Sequence, residues 1–197
     1  MDDSPAALRA RFAQLADFAW QSDWPLDSRQ VPAAVLVPLV PRPQGMQVLL
    51  TRRTDHLHHH AGQISFPGGR MEEEDVSLSA TALREASEEV GLLPESVELL
   101  GVLPDFGTPS GFRITPVLGL LHPDVCLRPD PFEVAEAFEI PLQFLARHSN
   151  YQSHRIRWQA GERHVYAVPY PGRFIWGATA GILHMLAAFL ADRPGGE

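Results

Sequence analysis

The stretch Arg84-Glu85-Ala86-Ser87-Glu88-Glu89-Val90-Gly91 constrains this chain more than any other. Its three carboxylates fall at i, i+3 and i+4. At about 100° per residue in a helix, Glu85, Glu88 and Glu89 share one arc, while Leu83, Ala86 and Val90 take the opposite side. A helix of this kind packs by one face and gathers acid on the other. Carboxylates held that close repel one another by roughly a few tenths of a kcal/mol per pair unless a cation lies between them. Oxygen-only ligands suit a hard divalent ion, Mg²⁺ or Mn²⁺. Taken alone the run could equally be a solvated helix face, because Glu is a good helix former. Its surroundings favour the metal. Phe66-Pro67-Gly68-Gly69 forms a turn upstream that lets backbone approach a ligand closely and leaves carbonyls free to join a coordination shell. Arg84 carries a planar fork suited to a carboxylate or a phosphate.

These residues resemble the signature of the Nudix hydrolases, G-x5-E-x7-R-E-U-x-E-E-x-G-U, with U a bulky aliphatic. Arg84-Glu85, Glu88-Glu89, Gly91 and Leu92 match its right half, with Ala86 smaller than the usual aliphatic. The left half departs from it. Strict spacing back from Arg84 places the glycine at Arg70 and the glutamate at Val76, so the loop after Gly69 is one residue longer than standard. That longer loop is similar to the coenzyme A pyrophosphatase branch, which carries a second signature upstream, LLTxR-(S/A)-x3-R-x3-G-x3-FPGG. Leu49-Leu50-Thr51-Arg52-Arg53-Thr54, His58, Gly62 and Phe66-Pro67-Gly68-Gly69 fit its spacing throughout. Thr54 stands in place of Ser or Ala. His58 stands in place of an arginine, and an imidazole carries full charge only below its unperturbed pKa of roughly 6.5.

The resemblance implies an α+β chain with the Nudix fold, a mixed β-sheet sandwiched between α-helices. It implies a metal-dependent pyrophosphatase acting on coenzyme A or an acyl-CoA, in which Glu85 and Glu89 hold Mg²⁺ or Mn²⁺ with Glu88 and the Gly69 carbonyl in support. Arg84 orients the glutamates. A general base or further ligand is expected from a segment after the helix, where Glu133 and Glu136 are the candidates. Arg52, Arg53 and His58 are expected at the substrate phosphates. The run from Thr108 to Pro116, TPSGFRITP, also resembles this branch, and Thr108, Ser110 and Phe112 are expected to border the substrate. IWGATAGIL near the C-terminal end does too, so the likeness spans roughly residues 31–190. Two alternatives stay open: another Nudix substrate such as ADP-ribose or a dinucleoside polyphosphate, and a non-catalytic nucleotide-sensing module.

The rest of the chain reads as one unit. At 197 residues it is long enough for a sizeable core, and 45% hydrophobic with 20% charged residues is ordinary for a globular protein. The net charge of −8 argues against a nucleic-acid binder that depends on a basic surface. With one cysteine, Cys126, no intrachain disulfide can form, which points to a reducing, cytoplasmic setting; Cys126 itself reads as a small buried hydrophobe. The first twenty residues begin acidic and do not have the order of a secretory signal. Ser4 followed by Pro5 opens a helix with Leu8, Phe12, Leu15 and Ala19 at helical spacing. Residues 1–30 are therefore expected as a helix and connector packed on a single domain over 31–191, with 192–197 a flexible tail.

Within that domain, Val31 to Val40 is a β-rich run, and its Pro32 and Pro38 predict an edge or bulged strand. Pro41 to Gly45 is expected as a five-residue hairpin loop before a strand at Met46 to Thr51. His56, His58, His59 and His60 lie near no cysteine, which favours a partly exposed loop over structural zinc. Asp75 or Ser77 is expected to cap the acidic helix and Gly91 to end it, while Glu72, Glu73 and Glu74 read mostly as solvated surface, with a part for one of them in holding metal or water left open. Strands are expected at Val97 to Leu103 and Ile114 to Leu121. Another runs into a short helix near Pro141, and a hairpin turns about Ala160-Gly161-Glu162. The last helix, ending near Ala191, is apolar nearly all round and too short to span a bilayer, so it is a buried core helix. The sequence offers no membrane association, and it leaves the oligomeric state open.

Overall fold

The computed structural model describes residues 2–20, 22, 24–56, 60–158 and 161–191. Helix α1 runs Pro5–Phe12, with the Ser4 side chain accepting from the Ala7 N–H and Pro5 in the first turn. Strands β1 (Val31–Arg42), β2 (Gly45–Arg53), β3 (Ile64–Ser65) and β4 (Gly68–Arg70) follow, then helix α2 (Leu78–Val90). Next come β5 (Val97–Val102), β6 (Phe106–Gly107), β7 (Phe112–Leu121) and β8 (Val134–Pro141), which enters the single turn α3 (Leu142–Leu145). The chain closes with β9 (Gln152–Trp158), β10 (Gly161–Tyr170), β11 (Arg173–Trp176) and α4 (Gly177–Ala191).

Among the described residues, strands β1 to β8 form one mixed sheet, and β9, β10 and β11 form a separate antiparallel one. In the large sheet β1 pairs in parallel with β7 from Val31↔Phe112 to Leu39↔Leu120. Along its other edge it meets β4 at Ala33 to Val35, then β2 at Leu39 to Arg42. The edge strand expected from Pro32 and Pro38 is therefore a central strand. The reason lies in how the second edge changes partner. Leu36 donates to the Pro67 carbonyl on that side, and alternate residues of a strand point the same way. The missing N–H of Pro38 thus falls in the gap between the β4 and β2 ladders, where no acceptor is lost. The hairpin is also tighter than expected, because Arg42 pairs with Gly45 and only Pro43 and Gln44 remain in the turn.

The sheet buries both faces. Ala34, Leu36, Val40, Leu49, Val117, Leu121 and Val134 pack against Ala82, Ala86 and Val90 of α2. On the opposite face Val37, Leu39, Met46, Val48, Leu50, Leu118 and Ile140 pack with Ile182, Leu183, Met185, Leu186 and Phe189 of α4 and with Leu8 and Phe12 of α1. Helices on both faces of a mixed sheet make the sandwich expected of an α+β chain. Helix α4 is buried nearly all round, and no described helix is long and apolar enough to cross a membrane. Cys126 departs from expectation: it is exposed, on the connection between β7 and β8 where its neighbours Val125 and Leu127 pack against the core instead. The expected tail, 192–197, lies outside the described residues.

Candidate active site

Helix α2 begins and ends where its residues dictate. The Ser77 hydroxyl caps it by accepting from the Ala80 N–H, so Ser77 and not Asp75 is the N-cap. At the other end Gly91 adopts φ 65°, and Gly91 and Leu92 donate to Ser87 and Ala86, the left-handed stop that glycine enters without steric cost. Ala82 and Ala86 let the helix lie close on the sheet, and this carries one acid inward. Glu89 is 3% exposed, whereas Glu88 faces solvent. The acidic arc is therefore split: Glu89 belongs to the packing side, Glu88 to the open side, and Glu85 lies between.

Arg84 holds this set together. Its Nε and Nη2 donate to the two oxygens of Asp75 at 3.1 and 3.0 Å, while Nη1 donates to Glu85 and Glu88 at 3.0 Å each. Nη2 also reaches the Arg70 carbonyl at 3.1 Å. Asp75 is fixed in turn by the Thr81 hydroxyl and the Glu72 N–H, both at 2.9 Å. Its hydrogen bonds from Arg84 pull its pKa down to about 2. Reading the sequence only as a helix start missed this role. The signal was available in the lengthened loop: strict spacing asks for an acid at Val76, which is 93% exposed, and the acid stands one residue earlier.

On the sheet side, Leu49 faces α2 and Leu50 faces α4, so alternation sends Arg53 toward the acids and Arg52 away from them. Arg53 Nη1 lies 3.5 Å from Glu89 Oε1, and its Nη2 lies 3.7 Å from Glu133. Arg52 instead lies 4.0 Å from Glu136 and 3.6 Å from Asp55. Glu136 accepts a two-pronged pair from Arg173 at 2.6 and 2.9 Å, and that guanidinium sits 3.5 Å from the centroid of the Phe138 ring. The two late candidates therefore part: Glu133 joins the site, while Glu136 is bound to Arg173 on the other face of the sheet, contrary to the expectation that it could act as base. The ladder slips between Arg52, opposite Glu136, and Arg53, opposite Val134, which marks the divide.

Thr108 spends its hydroxyl on its own turn, accepting from the Phe112 N–H at 2.9 Å and lying 3.0 Å from the Ser110 hydroxyl. Among the described residues no hydrogen bond or ion pair ties Thr108, Ser110 or Phe112 to α2. His58 lies outside the described residues. Glu72, Glu73 and Glu74 are exposed, as solvated surface should be.

The residues present fit a divalent cation. Burial pushes the Glu89 carboxyl up to about 8, against the pull of Arg53 and with the push of Glu85 and Glu133. Its Oε2 is buried without a hydrogen-bond partner, an acid oxygen left to be satisfied by positive charge. Burial likewise raises Glu85, again against Arg84. At Gly69 a Cβ would sit on the Glu85 carboxylate, so this glycine is needed for the backbone to come that close. Among the described residues no three His, Cys, Asp or Glu side chains close into a cage. Two carboxylates, Glu85 and Glu89, suit Mg²⁺, which binds through one or two carboxylates and keeps several waters. A groove of about 530 Å³ beside α1 and β5, lined by Arg9, Glu95 and Glu98, touches none of these acids.

Residues 30–158 match the family model of the NUDIX domain. A relative described as uncharacterized Nudix hydrolase NudL, from Pectobacterium atrosepticum, is 45% identical over 166 residues, covering 84% of this chain and 86% of the relative. A NudL of the same description from Cronobacter sakazakii is 42% identical over 197 residues, covering 98% of this chain and all of the relative. Among solved structures, a Caenorhabditis elegans Ap4A hydrolase aligns with TM-score 0.53 at 16% identity, over 82% of this chain and 98% of that one. The Nudix hydrolase RenU of Mycobacterium smegmatis aligns with TM-score 0.50 at 23% identity, over 59% and 74% of the two chains. These structural likenesses concern the fold.

Proposed function

This chain belongs to the Nudix family and is a pyrophosphatase, and on that premise we propose that it cleaves the diphosphate bond of coenzyme A or its acyl derivatives, releasing 3',5'-ADP and (acyl-)4'-phosphopantetheine. The observation that carries this reading is a convergence. Arg53 and Gly69, both from the upstream signature that resembles the coenzyme A branch, lie against Glu89 and Glu85 of the helix signature. That proximity supports reading the two signatures as parts of one site.

The residues divide the work by position. Glu85 and Glu89, with the Gly69 carbonyl and Glu88 in support, would hold Mg²⁺ or Mn²⁺. When bound, that ion supplies positive charge against the diphosphate and lowers the pKa of water in the site. Arg84, locked by Asp75, keeps Glu85 and Glu88 in place. Arg53 presents a cation beside Glu89 and Glu133 where a phosphate oxygen can meet it. Glu133, 3.7 Å from Arg53, would take the proton from the attacking water, which forms the new P–O bond as the bond to the bridging oxygen breaks and the other phosphate leaves. Most of the rate enhancement then comes from charge and positioning. A cytoplasmic enzyme is in keeping with this substrate.

A second reading, hydrolysis of ADP-ribose or a dinucleoside polyphosphate, draws on His58 standing where the branch carries arginine. One assay separates the two. The purified protein is incubated with coenzyme A, ADP-ribose or diadenosine tetraphosphate, with Mg²⁺, Mn²⁺ or EDTA, and the products are weighed by mass spectrometry. Metal-dependent 3',5'-ADP from coenzyme A, formed faster than product from the other two, is expected. Faster cleavage of either competitor would overturn the coenzyme A assignment.

A further inference from the structure

We propose that Phe132 and His56 form the subsite for the flat base of the nucleotide substrate, with Phe132 stacking on the adenine ring. The inference rests on the reading that an adenine nucleotide carries the diphosphate to this site. Phe132 is 64% exposed, although it borders the acids rather than a distant loop. Its ring lies 4.7 Å from the His56 ring, centroid to centroid, at 60° between planes. Two π-systems are thus presented to solvent side by side, at a separation within the range of aromatic pairs.

The backbone beneath them is pinned. The Phe132 N–H donates to Asp130 Oδ1 at 2.9 Å, and its carbonyl accepts from the Thr54 hydroxyl at 2.7 Å. The Asp130 N–H donates to the Glu89 carbonyl at 2.9 Å, and the Thr54 N–H to the Glu133 carbonyl at 2.9 Å. The turn that carries Phe132 is therefore tied both to the end of the acidic helix and to the strand end that carries Arg53. An exposed aromatic ring on a fixed turn is a surface prepared for a partner.

The neighbours define that partner. Glu133, the next residue, lies 3.7 Å from Arg53, which reaches Glu89. A ligand spanning this stretch carries an anionic diphosphate at the Arg53 end and a flat, uncharged ring at the Phe132 end. Adenine has that face, and the flexible pantetheine arm has none. Every base offers a π-face, so the subsite recognises the ring more than its pattern of hydrogen-bonding groups.

The test uses a pair of ligands that cannot be hydrolysed and that differ in the nucleoside: α,β-methylene-ADP and methylenediphosphonate. Each is titrated calorimetrically into the Mg²⁺-loaded wild type, Phe132→Ala, Phe132→Trp and His56→Ala proteins. Phe132→Ala should weaken the nucleotide analogue about tenfold, the order of one base-stacking contact, and change the base-free probe less than about twofold. Phe132→Trp should restore the nucleotide affinity, and His56→Ala should show a smaller loss confined to the nucleotide. Unchanged nucleotide binding in Phe132→Ala, or an equal loss on both probes, would overturn the proposal. Because neither probe is turned over, failure to cleave coenzyme A would remove the substrate assignment and leave a Phe132-dependent preference for the nucleotide standing.

Discussion

Glu133 and Glu136 stand three residues apart and carry the same carboxylate, yet the sheet gives them different work. Glu133 shares Arg53 with Glu89, and Glu136 shares Arg173 with the second sheet. The hydrogen bonds from Arg173 hold the Glu136 pKa below its usual range, which makes it a poor proton acceptor near neutral pH. Glu133→Gln should therefore lower kcat by about 10²–10⁴, the usual worth of a general base, with the fold unchanged by circular dichroism. Glu136→Gln should leave kcat within a few-fold and lower stability to urea by about 1 kcal/mol, a small figure because the carboxylate is 42% exposed. Equal losses of kcat would remove the distinction. The sequence presents these two acids as equals because their separation depends on a slip in the β2–β8 ladder, which no local pattern announces. Arg52 and Arg53 are another such pair, adjacent in sequence and sent to opposite faces by strand alternation. Glu85, Glu88 and Glu89 were legible as a set; that Glu89 alone is buried was not, because the depth of a helix depends on the small Ala82 and Ala86 beneath it.

Helix α2 is the element most fully written in local sequence. Ser77, Gly91 and the acid spacing each do what their chemistry predicts. What the local reading lacked was the brace outside the helix, Asp75, nine residues before the arginine it holds. That brace is testable by pH. Hydrogen bonds from Arg84 depress the Asp75 pKa from 3.8 to about 2 in the folded chain. A depressed folded value stabilises fully above the unfolded pKa and is lost as pH falls through the folded one. Between about pH 4 and pH 2 the wild type should lose stability with a component that Asp75→Asn lacks, as read from urea midpoints across that window. Parallel slopes for the two proteins would show that the brace carries no linked proton. Strand β1 is the converse case. Its prolines signal an edge, and the signal misleads because Pro38, which lacks an N–H, falls where the neighbour changes from β4 to β2. The hydrophobic run was readable, but the changeover is a property of the assembled sheet.

At the scale of the molecule, two apolar faces of one sheet are each covered by helix, and the acids of α2 meet the ends of β2 and β4. The all-round apolar character of α4 and the periodicity of α1 announced which helices would be buried. Composition alone would not have shown the sandwich, which was implied by the resemblance to the family. We propose that the acids of α2 serve diphosphate cleavage with a divalent cation and not the fold. The most direct test is the steady-state rate of Glu85→Gln on coenzyme A across a Mg²⁺ titration, beside a urea unfolding curve of the same preparation. The expected fall in kcat is about 10²–10³ or more, the order of losing one electrostatic group at a reacting centre, with the unfolding midpoint held or raised because a half-buried charge is gone. A variant that unfolds like the wild type and turns over coenzyme A at the wild-type rate would contradict it.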